Sequence, residues 1–325
     1  MIQPLEDTDK PTILVVDDDR GTVELIQMML QVRGYDVLVA YSGLEAIAMI
    51  QDNVKQHSFW HTLPIDLILL DIMMPGIDGF KVCQRVKDDP VLKYIPVIMV
   101  TALENTSDKV AAVEFGADGY ITKPFLPEEL GSAIKAKLQI KRREEELLRR
   151  NTELETINAV MSAAASTLDP NRVLEASLSA LMNHTPLAAA AIYLYDETND
   201  QLKCMTQQGI ERPKTLPAEK NIVSDVLHTQ QTCIQNDISL SQDWEGKVQQ
   251  DIQLGAWMGI PLRGVERSLG VLEIYDPHPY VFEKYELDMF TTIGDRVGSA
   301  LENAQLFQHT QTLLSKSYGL GATQP

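Results

Sequence analysis

Residues 67–80 read Leu-Ile-Leu-Leu-Asp-Ile-Met-Met-Pro-Gly-Ile-Asp-Gly-Phe, an apolar run that stops at Asp71 and gives way to a turn built on Pro75, Gly76 and Gly79. A short apolar run bounded by turn residues reads as a strand buried on both faces. Outward from it the construction recurs. Ile13-Leu14-Val15-Val16 stops at Asp17 and Asp18, Val97-Ile98-Met99-Val100 at Thr101, and Tyr120-Ile121-Thr122 at Lys123. Between the runs lie helical stretches, about 20–32, 44–51, 80–87 and 107–115, with Gly34 stopping the first and a further strand over Asp36–Ala40. This alternation predicts an α/β unit with a doubly wound parallel sheet, whose chemistry gathers beyond the carboxyl ends of the strands. Three carboxylates, a hydroxyl and an ammonium would converge there, a set suited to a metal ion and a phosphoryl group.

Taken jointly, VVDDD (15–19), LLDIMMPGIDGF (69–80), VIMVTA (97–102) and GYITKPF (119–125) make the stretch from about Thr12 to Phe125 resemble the receiver domain of a two-component response regulator. The resemblance implies a five-stranded, flavodoxin-like fold with Asp71 as phosphoacceptor. It implies a Mg²⁺ ion held by Asp17, Asp18, Asp71 and the Met73 backbone carbonyl, and a sensor histidine kinase or phosphotransfer protein as donor. Lys123 would pair with phosphoryl oxygens and Thr101 would donate its hydroxyl, with Thr101 and Tyr120 moving as a switch. Lys123-Pro124 corresponds to a cis peptide in the family, and Met73 and Leu103 to the positions flanking the path of the hydrolytic water. The residue types suit the chemistry, because phosphoryl transfer through a loose transition state depends on positioning and charge neutralisation. Mg²⁺ takes only one or two protein carboxylates and keeps several waters. Asp19 reads as a helix N-cap.

Composition narrows the function classes. Forty-six acidic against twenty-eight basic residues give a net charge of −18, a field that repels phosphate backbones and argues against nucleic-acid partners. Cys83, Cys204 and Cys233 show no CxxC spacing and read as free thiols of a reducing compartment. No apolar run approaches the length of a membrane span and the first ten residues are polar and acidic, so a soluble cytoplasmic protein is expected. His57 and His61, within the segment 53–63 that also carries Phe59 and Trp60, read as part of a surface insertion.

From Pro127 a helix is expected to run as far as Leu168, with Ile140, Leu147, Leu154, Met161 and Leu168 recurring every seven residues. Such a repeat predicts a coiled coil and a homodimer. Arg143 and Arg150 weaken the second seam position, which leaves a single charged linker helix as the alternative. Farther on, a helix over 171–182, hairpins over 188–206 and 257–275, and a final helix from about 283 to 314 are expected. On that last helix Leu287, Phe290, Ile293, Val297, Leu301, Ala304 and Phe307 lie at helical spacing.

With GIPLRG (259–264), SLGVLEIYDP (268–277) and VGSALENAQLFQ (297–308), the stretch from about Ile157 to Gln308 resembles a GAF domain. The resemblance implies an antiparallel sheet with helices on one side and often a small-ligand pocket on the other. Trp244, Trp257, Tyr193 and Tyr195 read as core before pocket. Cys204-Met205 and Cys233-Ile234 differ from the Cys-His pair of bilin-carrying relatives.

The expected division is receiver domain 1–126, signalling helix 127–156, GAF domain 157–314 and flexible tail 315–325. The expected function is a phosphorylation-controlled response regulator that relays the state of Asp71 to the GAF domain, not an enzyme beyond Mg-dependent autophosphorylation from small phosphodonors and autodephosphorylation. Two alternatives stay open: a GAF small-molecule sensor that modulates receiver phosphorylation, and the front portion of a longer hybrid kinase or cyclase.

Overall fold

The computed structural model describes residues 10–55, 65–102, 115–238 and 255–319. Residues 1–148 and 149–325 form two compact units. All but the last residue of the expected helix over 107–115, and Leu103, His57, Phe59, Trp60, His61 and Trp244, lie outside the described residues.

In the first unit, β1 (Thr12–Val16), β2 (Asp36–Ala40), β3 (Leu67–Asp71), β4 (Val97–Thr101) and β5 (Gly119–Thr122) form one sheet in the order β2-β1-β3-β4-β5, every neighbouring pair parallel. Central strands β3 and β4 are buried at every position, which is why their sequences show no polar alternation. Helices cover both faces. Leu14, Val16, Ile68 and Leu70 pack with α2 (Gly43–Lys55) and α3 (Gly79–Asp88). Ile13, Val15, Leu67 and Leu69 face α1 (Arg20–Gln31) and the start of α4 (Pro127–Ala165), through Val23, Ile26, Leu30, Leu130, Ile134 and Leu138. Asp78 caps α3 through the Lys81 amide, and α3 starts at a glycine for a steric reason. A Cβ at Gly79 would stand 2.1 Å from the Asp71 carbonyl oxygen. At the amino ends of β1 and β3, Lys141 of α4 is 4 % exposed and donates to Asp66 Oδ1 at 2.8 Å, while Asp66 Oδ2 accepts from the Thr12 amide.

α4 ends at Ala165, short of the expected Leu168. Asp169, extended before Pro170, caps α5 (Pro170–His184) through the Asn171 and Arg172 amides. Leu168, the last member of the seven-residue series, is therefore not on the helix.

The second unit holds an antiparallel sheet of β6 (Ala189–Asp196), β7 (Gln201–Gln208), β8 (Thr215–Pro217), β9 (Cys233–Gln235), β10 (Ala256–Arg263) and β11 (Ser268–Asp276), in the order β8-β7-β6-β11-β10-β9. Both expected hairpins form. β8, β9 and α6 (Ile222–Thr229), of 3, 3 and 8 residues, are too short for apolar spacing to announce them; α6 is fixed by an Asn221/Ser224 capping box. One sheet face carries Tyr193, Trp257 and Tyr275 against α6, and α7 (Lys284–Gly319) packs along β10 and β11. α7 approaches β10 so closely that a Cβ at Gly298 would meet the Arg263 carbonyl at 2.3 Å. It continues past the expected Leu314, so Ser315–Gly319 is helical where a flexible tail was expected. Phe307, expected on the packed face, is 43 % exposed, because the packed face of α7 ends near Ala304.

Candidate receiver site

Asp17, Asp71, Thr101 and Lys123 stand at or one residue beyond the carboxyl ends of β1, β3, β4 and β5, and parallel pairing brings those ends together. Asp17, Asp71 and Thr101 are buried, and Asp18 is exposed. Lys123 Nζ donates to Asp17 Oδ2 at 2.6 Å and to Asp71 Oδ1 at 2.7 Å. The second oxygens are also engaged: Asp17 Oδ1 accepts from the Asp19 amide and Asp71 Oδ2 from the Met73 amide, at 2.9 and 2.8 Å. Asp19 caps α1 through the Thr22 amide, as its position suggests.

Burial pushes the Asp71 carboxyl above its ordinary range, with the Lys123 hydrogen bond opposing. Burial alone would lower the Lys123 ammonium, but its bonds to Asp17 and Asp71 outweigh it and hold the pKa above the ordinary value. Ligand oxygens of Asp17, Asp18 and Asp71 all lie within 4.8 Å of one another. Three carboxylates around one ammonium leave negative charge uncompensated at a partly dehydrated spot, and the donors are all hard oxygens. That donor set fits Mg²⁺. The Lys123 amide donates to the Thr101 carbonyl, and the Lys123-Pro124 peptide is cis. Tyr120 is 46 % exposed on edge strand β5, and the Met73 side chain is exposed beside Asp71.

Residues 13–135 match the response regulator receiver domain family, and residues 167–302 match the GAF domain family. The chain carries a receiver domain followed by a GAF domain. Response regulator PleD of Caulobacter vibrioides is 37 % identical over 153 residues, 47 % of this chain and 32 % of PleD. The DNA-binding dual master transcriptional regulator RpaA of Synechocystis is 40 % identical over 129 residues, 40 % of this chain and 49 % of RpaA. A CheY-like receiver domain structure from Methanospirillum hungatei is 30 % identical, covering 42 % of this chain and 98 % of that one, with a TM-score of 0.36. The chain thus spans 32 to 49 % of the length of these curated relatives.

In the GAF domain the structure reveals a constellation that sequence reasoning missed. Glu273 of β11 is wholly buried and accepts from Arg212 Nε and Nη2, at 3.2 and 3.1 Å, and from Trp257 Nε1 at 3.1 Å. The Arg212 guanidinium lies over the Tyr275 ring. Tyr193 donates its hydroxyl to the Pro213 carbonyl. Trp257 and Tyr193 are thus core residues, as their sequence context suggests, and Tyr195 is half-buried. The one available signal was a carboxylate inside the otherwise apolar run 271–275. No helix among the described residues is long and apolar enough to cross a membrane.

Proposed function

We propose that the chain is a phosphorylation-controlled signalling protein in which Asp71 accepts a phosphoryl group from a histidine kinase or phosphotransfer protein and the receiver relays its state to the GAF domain. The observation that carries this reading is the Lys123 ammonium shared by Asp17 and Asp71 at the buried strand ends. An Asp71 carboxylate oxygen attacks phosphorus, the bond to the donor breaks, and the leaving group departs with its electron pair. Lys123 exchanges one carboxylate contact for a phosphoryl oxygen, and the Thr101 hydroxyl donates to another. Asp17, Asp18, Asp71 and the Met73 carbonyl would hold Mg²⁺, which supplies positive charge where phosphoryl oxygens gather. Thr101 and Tyr120 would report the modification; the exposed ring of Tyr120 has room to change position.

The exposed apolar positions Ile140, Leu147, Leu154 and Met161 along α4 support a coiled-coil homodimer as the coupler. Free Cys83, Cys204 and Cys233 support a reducing, cytoplasmic setting, and the −18 charge supports a protein partner over nucleic acid. The buried, mutually bonded Trp257 and Glu273 favour a regulatory GAF core over a small-ligand site there.

The test is intact-mass measurement after incubation with Mg²⁺ and acetyl phosphate. One phosphoryl adduct is expected, absent in Asp71→Asn and without Mg²⁺; an adduct that persists in Asp71→Asn removes the assignment.

A further inference from the structure

Arg20, the first residue of α1, is exposed, and its guanidinium lies 5.1 Å over the ring of Tyr41, the first residue beyond β2. Each stands one residue away from a group bonded to Asp17. The Asp19 amide donates to Asp17 Oδ1, and the Asp17 amide donates to the Ala40 carbonyl at 3.2 Å. The stacked pair therefore sits on the β1–β2 side of the crevice, opposite the β5 end from which Lys123 reaches Asp17 and Asp71.

Helix stability does not explain an arginine here. A cation at the first helical position opposes the positive end of the helix dipole, and an exposed cation–π contact offsets that cost without a clear surplus. Neutralising neighbouring acids does not explain it either. Asp19 accepts from the Thr22 amide and hydroxyl, Asp17 from Lys123 and the Asp19 amide, and Glu45 from the Tyr41 amide at 2.7 Å. Among the described residues Arg20 forms no ion pair, although three aspartates precede it. Its planar fork of donors is open to an incoming anion, and the Tyr41 ring holds that plane in one orientation.

A phosphoryl donor has to approach past exposed Asp18, on a chain of net charge −18, and that field repels an anion before Lys123 can act on it. A cation on the rim offsets the repulsion. We propose that Arg20, seated on Tyr41, is a donor-binding residue that draws dianionic phosphoryl donors into the crevice and pairs with their oxygens before transfer. This rests on Asp71 being the phosphoacceptor, and it gives Arg20 no part in the attack on phosphorus or in later loss of the phosphoryl group.

The test follows adduct formation by intact mass in the full chain at saturating Mg²⁺, with acetyl phosphate or with phosphoramidate, which carries less negative charge. Arg20→Gln is expected to slow the second-order rate with acetyl phosphate about tenfold, the low end of what a focusing charge adds to an on-rate, and the rate with phosphoramidate less. Added salt should slow the parent more than the variant. Arg20→Lys keeps the charge without the planar stack and should fall between them, as should Tyr41→Leu. Loss of the phosphoryl group after donor removal, and the thermal melt, should stay parental in Arg20→Gln, which a merely structural role would not predict together with slowed uptake. Lys135→Gln, which removes a charge from the exposed surface of α4, should match the parent throughout. Parental rates in Arg20→Gln, or equal slowing with both donors at every salt concentration, overturn the proposal while leaving Asp71 in place. A parent that gains no adduct with either donor removes the Asp71 assignment and this one with it.

Discussion

Lys123 donates to Asp71 Oδ1 at 2.7 Å across a span of 52 residues, tying the end of β5 to the end of β3. The same ammonium holds Asp17, so its removal leaves two buried carboxylates facing each other without a cation. Lys123→Met should therefore lower the melting temperature in metal-free buffer, and Mg²⁺ should restore much of it by supplying the missing charge. Phosphorylation by acetyl phosphate should slow about 10²–10³-fold, the usual consequence of deleting one preorganised donor to developing charge. A variant that melts like the parent without metal, or that phosphorylates at the parental rate, would falsify this role for Lys123.

The Arg212–Glu273 pair allows a test in which shape and charge separate. Glu273→Gln keeps the volume and an acceptor for Trp257, but leaves the guanidinium buried without its counter-charge. That should cost about 3–5 kcal/mol. Combining it with Arg212→Met removes both charges and should recover most of the loss, because two dehydrated ions are replaced by groups cheap to bury. Urea unfolding of both variants and of Arg212→Met alone closes the cycle. Additive losses would mean that the two residues stabilise the domain independently.

The parallel sheet and its site were legible because both follow from local signals: an apolar run marks a strand buried on both faces, and the polar residue that stops it marks the crevice. Asp17, Asp71, Thr101 and Lys123 all obey that logic. Glu273 does not. Strand alternation assigns it to one face with Val271 and Tyr275, and a lone carboxylate on such a face reads as solvent-facing. Its face is covered by α6 and the Arg212 loop, contacts contributed by residues far away in the chain. The capping box of α6 has Asn221 and Ser224 but no long apolar stripe to announce it, and Gln230 ends the helix in a left-handed conformation usually given to glycine. The seven-residue spacing carries α4 to Leu168, just before the stop at Asp169-Pro170, whereas the helix ends at Ala165, where the Ser166 hydroxyl donates to the Ala163 carbonyl and the chain leads into the Asp169 cap.

Glu286 gives the GAF domain a titration near neutrality. Its side chain is 1 % exposed, accepts from the Tyr280 hydroxyl and the Glu283 amide, and burial pushes its pKa from 4.5 up to about 7. The folded state thus holds a proton that the unfolded chain has already released, so stability falls as pH rises from the unfolded value through 7 and then levels. Glu286→Gln removes this slope while keeping an acceptor for Glu283 and a polar group for Tyr280. Thermal melts should show the variant gaining on the parent between about pH 5 and about pH 8. A constant difference across that range would mean that Glu286 titrates no differently in the fold than in the open chain.

Helix α4 runs without a break from Pro127 to Ala165, and Ile140, Leu147, Leu154 and Met161 along it are between 38 and 63 % exposed. A helix with so much apolar surface in water is stabilised by pairing, and paired helices transmit rotation better than translation. The phase of the repeat should then matter more than its length. Seven residues inserted after Glu153 preserve the apolar seam, whereas four turn everything downstream out of line. If the coupling runs through a coiled coil, phosphorylating Asp71 should change amide exchange in β10 and β11 of the parent and of the seven-residue insertion, and leave them unchanged in the four-residue insertion. Equal responses in both insertions, or a monomer by light scattering with and without phosphoryl donor, would mean that the helix is a spacer and that the exposed leucines serve some other contact.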